Sequence, residues 1–561
     1  MKRDNLILTV IIALAFLARL AGSWYGYPFA LGLFDENISI RQAMAFGVTR
    51  SLRPLSFLYP ALYSYLLLAV YTLYYFLGKA AGWFAYSEDF AFLYLTKPFV
   101  FFFIARLISV VCGSATVFIT FLTARRVYDF KTGLWAAWLL AMAQTHIIHS
   151  HWAKPDILMV FLVSLSLLFT GLILTEGRMR NYLFAGLFLG LATATKYNAA
   201  FLSVSIVVAH LLTAGKSRFL DWRLAGYFLM LLMGFFVGSP YCLIDFNSCY
   251  KGLMVVSDYL RFGSPADINT LSAGQTVSAF MRENPVFGWV SVCGLVYCFL
   301  RREKRDSVFL VPILAFILFV LRYPRANAYY LLPVFPAMAV VGARFLSWIT
   351  GKKFAAGLGL MVAGLSVFSV FAVERDFLTE DSRIPAKAWI ERHIPAQSRI
   401  ALYCLRYKDG PPIVSYGTEF SSLDYGPKAK VQYSSARLKE LLDDYYAHRQ
   451  TYRIYKLEKD IADGENGAPA KGGPYCRRYY QQGFKGIAEL KREKIEYLIL
   501  SSFLYGLYED KPLPGQPLYA FYLRNKEYFA KLMHSKELFL LKEFSSEGSL
   551  SPAIRIYKLV Y

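Results

Sequence analysis

Little in this chain is suited to water. Charged residues make up 18% of its 561 positions, against 56% hydrophobic and 17% aromatic. One soluble core cannot bury that much apolar surface, so lipid must cover it, and the chain reads as a polytopic membrane protein. Acidic residues are the scarcer sign, 39 against 61 Lys and Arg, for a formal net charge of +22. That excess does not point to nucleic acid, because the basic residues form short clusters between apolar runs and no separate basic domain. Clusters of this kind fit the positive-inside rule and anionic headgroups. No small-x-small cleavage site follows the first apolar run at 6–22, so it reads as an uncleaved first helix. No internal repeat is visible in the membrane part, which argues against the repeat-built transporter folds. Cysteines number only seven: Cys112, Cys293 and Cys298 lie in apolar runs as ordinary small core residues. Cys242 and Cys249 share one loop, and Cys404 and Cys476 share the C-terminal region; each pair reads either as a disulfide of an oxidising compartment or as free thiols.

What is there in abundance is apolar runs. A spanning helix needs roughly 20 apolar residues. Eleven stretches qualify or nearly so: 5–23, 99–123, 133–148, 156–174, 182–193, 198–213, 224–238, 286–300, 308–321, 329–349 and 354–373. The tyrosine-rich run at 59–77 competes, but counting it as a span would break the basic-cluster pattern at every later loop. Laid along the outer surface as an interfacial helix, it leaves Arg125, Arg126, Arg178, Lys216, Arg301 and Lys352 all cytoplasmic. The two spans within 182–215 are short, which places the turn at 195–198 below the outer surface and turns Lys196 toward a wet cavity. The fold class expected is therefore an α-helical membrane domain over 1–373, with an outer loop at 24–98. From residue 374 the composition becomes mixed and soluble. Short β-type runs at 399–404 and 497–501 alternate with helical stretches at 385–392 and 436–446, so residues 374–561 read as an outer α/β domain.

In this topology the polar groups of the outer loops converge on one face. The first loop holds Asp35, Glu36, Asn37 and Arg41, and the second holds His146, His149, His151, Lys154 and Asp156. Lys196, Tyr197 and Asn198 form the third, and Arg322, Arg325 and Asn327 the last. An acid pair beside an apolar helix is in itself a helix cap, with Asp35 as N-cap of a helix starting at Glu36. The histidines with Asp156 are metal-ligand types, but their spacing matches no zinc signature such as HExxH.

The segments FDENISIRQAM, LYPALYSYL, ARLISVVCGSATVFITFLTARRVYD, HSHWAKPDILMVFLVSL, AGLFLGLATATKYNAAFL and RANAYYLLPVFPAMAV follow one another in this order. That order resembles the phospholipid-carrier-dependent glycosyltransferases of the GT-C class, in particular the bacterial relatives of protein O-mannosyltransferases and of the lipid A aminoarabinose transferase. The likeness covers roughly residues 1–350. It implies a GT-C fold of about eleven transmembrane helices and an enzyme that uses a polyprenyl-phosphate sugar at the outer face of a bacterial-type inner membrane. The partners implied are that donor, a hydroxyl acceptor and membrane lipid, with no nucleic acid. The family's first-loop acid falls on Asp35, with Glu36 beside it, and its second-loop acid on Asp156. Donor phosphate binding falls on Lys196, Tyr197, Arg325 and Arg322. No cofactor is certain; a divalent metal bridging acid and phosphate stays open, with His149, His151 and Glu36 as the ligand types at hand. Leu58, Tyr59 and Pro60 stand where the lipid A transferases carry Lys-Pro, which argues against aminoarabinose specificity. The absence of WWDYG argues against an oligosaccharyltransferase catalytic subunit.

The chemistry implied is attack of an acceptor hydroxyl on the anomeric carbon. Asp35 takes the proton, and fixed cations stabilise the departing lipid phosphate. A single displacement inverts the anomeric centre. The rival from another class is a lipid-linked-sugar flippase, which is expected to hold ionisable residues at mid-span, whereas the acids here gather at one face.

Overall fold

The computed structural model describes residues 2–32, 34–214, 221–262, 273–323, 327–351, 356–403, 410–412, 414–415, 435–456, 458–459, 483–484, 486–506, 519–545 and 550–561. Its apolar runs are helical, because in lipid each backbone N–H and C=O must be paired within its own segment. After α1 (Lys2–Ala21) come α2 (Phe34–Thr49), α3 (Leu62–Ala80) and α4 (Ser87–Thr96), then the long α5 (Phe99–Val127). The series continues with α6 (Phe130–Ala141), α7 (Gln144–Ser150), α8 (Pro155–Glu176), α9 (Met179–Thr193), a 3-10 turn (Tyr197–Leu202), α10 (Ser203–Ala214) and α11 (Trp222–Gly238). Then follow α12 (Tyr241–Ile244), α13 (Phe246–Phe262), α14 (Ala273–Glu283), α15 (Pro285–Arg301), α16 (Ser307–Leu321), a 3-10 turn (Ala328–Val334), α17 (Phe335–Ile349) and α18 (Ala356–Leu378).

Among the described residues, Phe99–Val127, Pro155–Glu176, Ala328–Ile349 and Gly357–His393 are each long and apolar enough to cross a bilayer. The pair Gly274–Glu283 and Pro285–Arg301, bent by 118°, adds one more if it is a single broken span. Asn5–Ala21, Tyr197–Thr213 and Trp222–Gly238 are shorter apolar helices. Outward-facing Leu229, Val237, Leu300, Leu318, Leu360 and Phe368 are exposed, as lipid-covered side chains are. Without a hydrophobic drive between helices in lipid, close backbone approach does the packing. At α9 and α11 it comes from glycine: a Cβ on Gly190 would strike the Leu231 carbonyl, and one on Gly234 the Leu187 carbonyl.

Two expectations are corrected. The run at 133–148 is not one helix: α6 stops at Ala141 and α7 restarts at Gln144. The physical reason is Arg19, fully buried near the end of α1, which donates to the freed carbonyls of Leu140 (3.1 Å) and Ala141 (3.2 Å). Cys293 is exposed on α15 rather than part of the core. The tyrosine-rich helix exists as α3, and its face toward α5 is fastened by Tyr71 donating to the Phe101 carbonyl at 2.8 Å. Cys242 and Cys249 form a disulfide, whereas Cys404 and Cys476 lie outside the described residues.

The C-terminal part carries helices α19 (Arg383–His393) and α20 (Ala436–Ala447) and a six-stranded mixed sheet. Its strands are β1 (Arg399–Tyr403), β2 (Val414–Ser415), β3 (Thr451–Lys456), β6 (Tyr497–Ser501), β7 (Leu538–Phe544) and β8 (Ile554–Leu559), with β4 (Glu458–Lys459) and β5 (Gly483–Phe484) paired apart. The order is β2-β3-β1-β6-β8-β7, with β1 parallel to β3 and β6, and β8 antiparallel to both its neighbours. Central β6, YLILS, is buried throughout, as a strand covered on both faces must be. Ala386 and Ile390 of α19 cover one face, and Phe529 and Leu532 of the helix Tyr519–Met533 the other. This layer rests on α4, where Arg437 meets Asp89 at 3.1 Å and Ser435 donates to Glu88 at 2.9 Å.

Candidate active site

The site forms where three helix starts meet. Helix α2 begins at Phe34, two residues before the Glu36 start that the N-cap reading of Asp35 requires, so Asp35 and Glu36 both lie in its first turn. There the helix dipole favours negative charge. Lys154 is extended, as a residue before proline is, and Pro155 opens α8 with Asp156 in the first turn. Lys196 is likewise extended, between α9 and the 3-10 turn.

These starts align a row of alternating charge. Asp35 lies 3.5 Å from the Lys154 ammonium, Lys154 lies 3.8 Å from Asp156, and Asp156 accepts from Lys196 at 2.6 Å. Asp156 and Lys154 are buried, but the Asp35 side chain is 35% exposed. Aromatic faces wall the row. Lys154 sits 4.7 Å over the Tyr329 ring, and Lys196 within 6 Å of Tyr59, Tyr329 and Tyr330 (5.9, 5.5 and 5.6 Å). His149 packs on Tyr329 at 4.8 Å. Burial pulls the Lys154 ammonium toward its neutral form, but Asp156 and Asp35 more than offset this and raise it above the ordinary lysine value. It is a cation at neutral pH.

The structure gives two expected site residues other work. Glu36 is fully buried: it accepts from Arg106 Nε at 2.8 Å and Nη2 at 3.0 Å, and from the Ala153 N–H at 2.8 Å. A Cβ on Gly32 would run into this ion pair, so the loop lies directly on it. Glu36 thus ties the first loop to α5 and to the residue before Lys154. Removing one partner of such a buried pair costs about 3–5 kcal/mol. Glu36→Gln is therefore expected to lower stability by that order, measured as unfolding of the detergent-solubilised protein. Tyr197 turns its hydroxyl to the Phe57 carbonyl at 3.2 Å, beside the Cys249 sulfur at 3.6 Å, and so props the turn from behind. Arg322 ends α16 as an exposed side chain, and Arg325 lies outside the described residues.

Of the other polar and aromatic neighbours, His146 and His151 were named from the sequence, whereas Tyr59, Tyr329, Tyr330, Arg19 and Glu374 were not named as site residues. Tyr59, Tyr329 and Tyr330 line the row, and Arg19, His146, His151 and Glu374 make a second buried polar group. In it Arg19 meets His146 Nδ1 at 2.9 Å and His151 lies 3.4 Å from Glu374. A charge inside an apolar run is the sequence signal for such partners. His149 and His151 are both held down to about 3, by burial first; the Lys154 charge adds to it at His149, and Arg19 and Arg106 at His151, against the Ala18 carbonyl. Sign: the unfolded chain binds these protons below about 6.5 and the folded one does not. Their contribution is therefore complete above about 6.5 and is lost as pH falls toward 3. Unfolding followed from pH 7 to pH 4.5 is expected to show falling stability, with a shallower slope in His149→Gln.

A divalent metal does not fit the row. Each carboxylate already faces an ammonium group, and a dication placed between them would meet Lys154 and Lys196 at close range. Among the described residues, no three His, Cys, Asp or Glu side chains are grouped to hold one.

Residues 102–244 match the family model of dolichyl-phosphate-mannose-protein mannosyltransferases, a span that includes Lys154, Asp156 and Lys196. Over the whole length the chain superimposes on ArnT from Cupriavidus metallidurans bound to undecaprenyl phosphate, with a TM-score of 0.52, 11% identity, and coverage of 98% of this chain and 97% of that one. The chain has the GT-C glycosyltransferase fold. The apo state of ArnT gives the same values. The apo oligosaccharyltransferase of Archaeoglobus fulgidus, also similar to this GT-C chain, gives a TM-score of 0.51 at 11% identity over 90% of this chain and 71% of that one. Among curated proteins, no sequence matches.

Proposed function

We propose that this GT-C protein is an inverting glycosyltransferase that moves a sugar from a polyprenyl-phosphate donor to an acceptor hydroxyl at the outer face of the membrane. The observation that carries the reading is the Asp35 carboxylate, the most open member of a row of charges whose Lys154 and Asp156 are buried. Asp35 accepts the acceptor's proton as the acceptor oxygen bonds to the anomeric carbon. The bond from that carbon to the phosphate oxygen breaks, and Lys196, with Lys154, stabilises the charge that collects on the leaving lipid phosphate. Asp156 touches neither partner and acts by positioning both lysines. Arg322, and Arg325 three residues on in the sequence, extend the phosphate site. The match to a lipid-linked mannosyltransferase family model and the likeness to a protein solved with undecaprenyl phosphate support a lipid-linked donor.

In this reading eleven spans over 1–373 leave the N-terminus cytoplasmic and put residues 374–561 outside, in a bacterial-type inner membrane. The Cys242–Cys249 disulfide supports an oxidising compartment on that side. Proteoliposomes carrying the purified chain and undecaprenyl-phosphate-linked mannose or glucose test it against the flippase alternative. Transfer of sugar to a hydroxyl acceptor supports the enzyme; movement of intact lipid-linked sugar between leaflets without transfer refutes it.

A further inference from the structure

The first outer loop is held from two sides, and only one of them belongs to the helical domain. Tyr25 is 3% exposed, and its hydroxyl lies 2.6 Å from Asp381 Oδ2 and 3.0 Å from the Leu550 carbonyl. Asp381 is itself buried and is gripped by Arg383, whose Nε and Nη2 donate at 2.8 and 2.6 Å. The next residue, Ser382, accepts from the Ser551 hydroxyl at 2.8 Å, so this corner is continuous with the segment entering β8. On its other side the Tyr25 carbonyl accepts from Arg106 Nη1 at 2.8 Å. The same guanidinium holds Glu36, and Glu36 holds the Ala153 N–H. Asp35 and Lys154 are the immediate neighbours of Glu36 and Ala153. Apolar contacts brace the joint: Trp152 lies edge-on to Tyr25 at 5.9 Å and packs on Phe377 at 5.2 Å, with the Arg106 guanidinium 5.2 Å from its ring.

We propose that Tyr25 is a positioning residue through which the docked C-terminal sheet domain sets the spacing of Asp35 and Lys154. This rests on the reading of Asp35 as the proton acceptor. The chain of contacts runs Asp381, Tyr25, Arg106, Glu36, and each link is buried, so a shift at Asp381 is passed on rather than absorbed by solvent. Misplacement of a reacting group by about 1 Å costs up to about 100-fold in rate. Loss of the Tyr25 hydroxyl is therefore felt in turnover and not in donor binding, because Lys196 and the tyrosine wall stay in place.

The test is Tyr25→Phe in the full chain, which keeps the ring packing, with Asp381→Asn as a second variant. Hydrogen exchange of the segment 24–41 and steady-state turnover of undecaprenyl-phosphate-linked mannose or glucose are both measured. The expected result is faster exchange strongest at 24–41, about 10- to 100-fold lower kcat, unchanged KM for the donor and, for Tyr25→Phe, an unfolding midpoint lowered by less than in Glu36→Gln. Exchange and kcat both at wild-type values would overturn the proposal, as would a kcat loss matched by a rise in KM. Faster exchange at 24–41 in a protein whose wild type transfers no sugar supports the strut and counts against the transferase reading alone.

Discussion

Asp35→Asn lowers kcat by about 10²- to 10⁴-fold, the usual contribution of a positioned general base, and leaves KM for the lipid donor nearly unchanged. The side chain is matched in shape, so the loop keeps its fold. What is lost is the lone pair able to take the acceptor's proton. Asp35 is well suited to this change because it is the more open end of the row, and Lys154 keeps Asp156 as a partner at 3.8 Å when the Asp35 charge is gone. Asp35→Glu keeps the charge but moves it by one methylene, so its activity is expected between the two. Steady-state kinetics of the three proteins at saturating acceptor check the order wild type, Glu, Asn. An Asn variant as fast as wild type removes Asp35 from the mechanism.

Lys196→Ala has the second largest effect, a loss of about 10²- to 10³-fold in kcat, the cost of removing one preorganised group facing developing charge. Two consequences separate it from the Asp35 variant. Asp156, which is 1% exposed and accepts from Lys196 at 2.6 Å, is left with Lys154 as its partner, so stability falls as well. In addition, the deficit lies on the donor side and is the same for every acceptor, whereas the deficit of Asp35→Asn shrinks with a more acidic acceptor hydroxyl. Lys196→Arg restores the charge but not the geometry, since a planar fork does not replace a compact ammonium among three aromatic rings. Turnover of both variants across acceptors of graded acidity distinguishes the two roles.

How much of this was legible in the sequence depends on the distance over which each partner had to be found. Asp35, Asp156 and Lys196 each stand at a helix start beside an apolar run, and the order of those runs is enough to bring them to one face. Lys154 was visible in the same loop, but its pairing with both acids depends on the extended backbone before Pro155. The partner of Glu36 was not legible, because Arg106 lies 70 residues away inside an apolar run. Nor was the Tyr25–Asp381 contact, whose residues are 356 apart. The break between α6 and α7 follows from Arg19, a cation that hydropathy alone counts as a flaw in the first helix. The contact of the Tyr197 hydroxyl with the Phe57 carbonyl was not legible either, because the two residues are 140 apart. In the sheet domain, β6 and β1 were legible as apolar runs. The order of strands was not, since β1 pairs with two strands from distant parts of the sequence.

The central claim is that the row from Asp35 to Lys196 drives a single displacement on a lipid-linked sugar. The most direct measurement supplies wild-type protein with a polyprenyl-phosphate sugar of known anomeric configuration and an acceptor mixture, then reads the released lipid phosphate and the configuration of the product. One polyprenyl phosphate released per sugar transferred, with the anomeric centre inverted, is the predicted result; retained configuration, or transfer without release of polyprenyl phosphate, would contradict it.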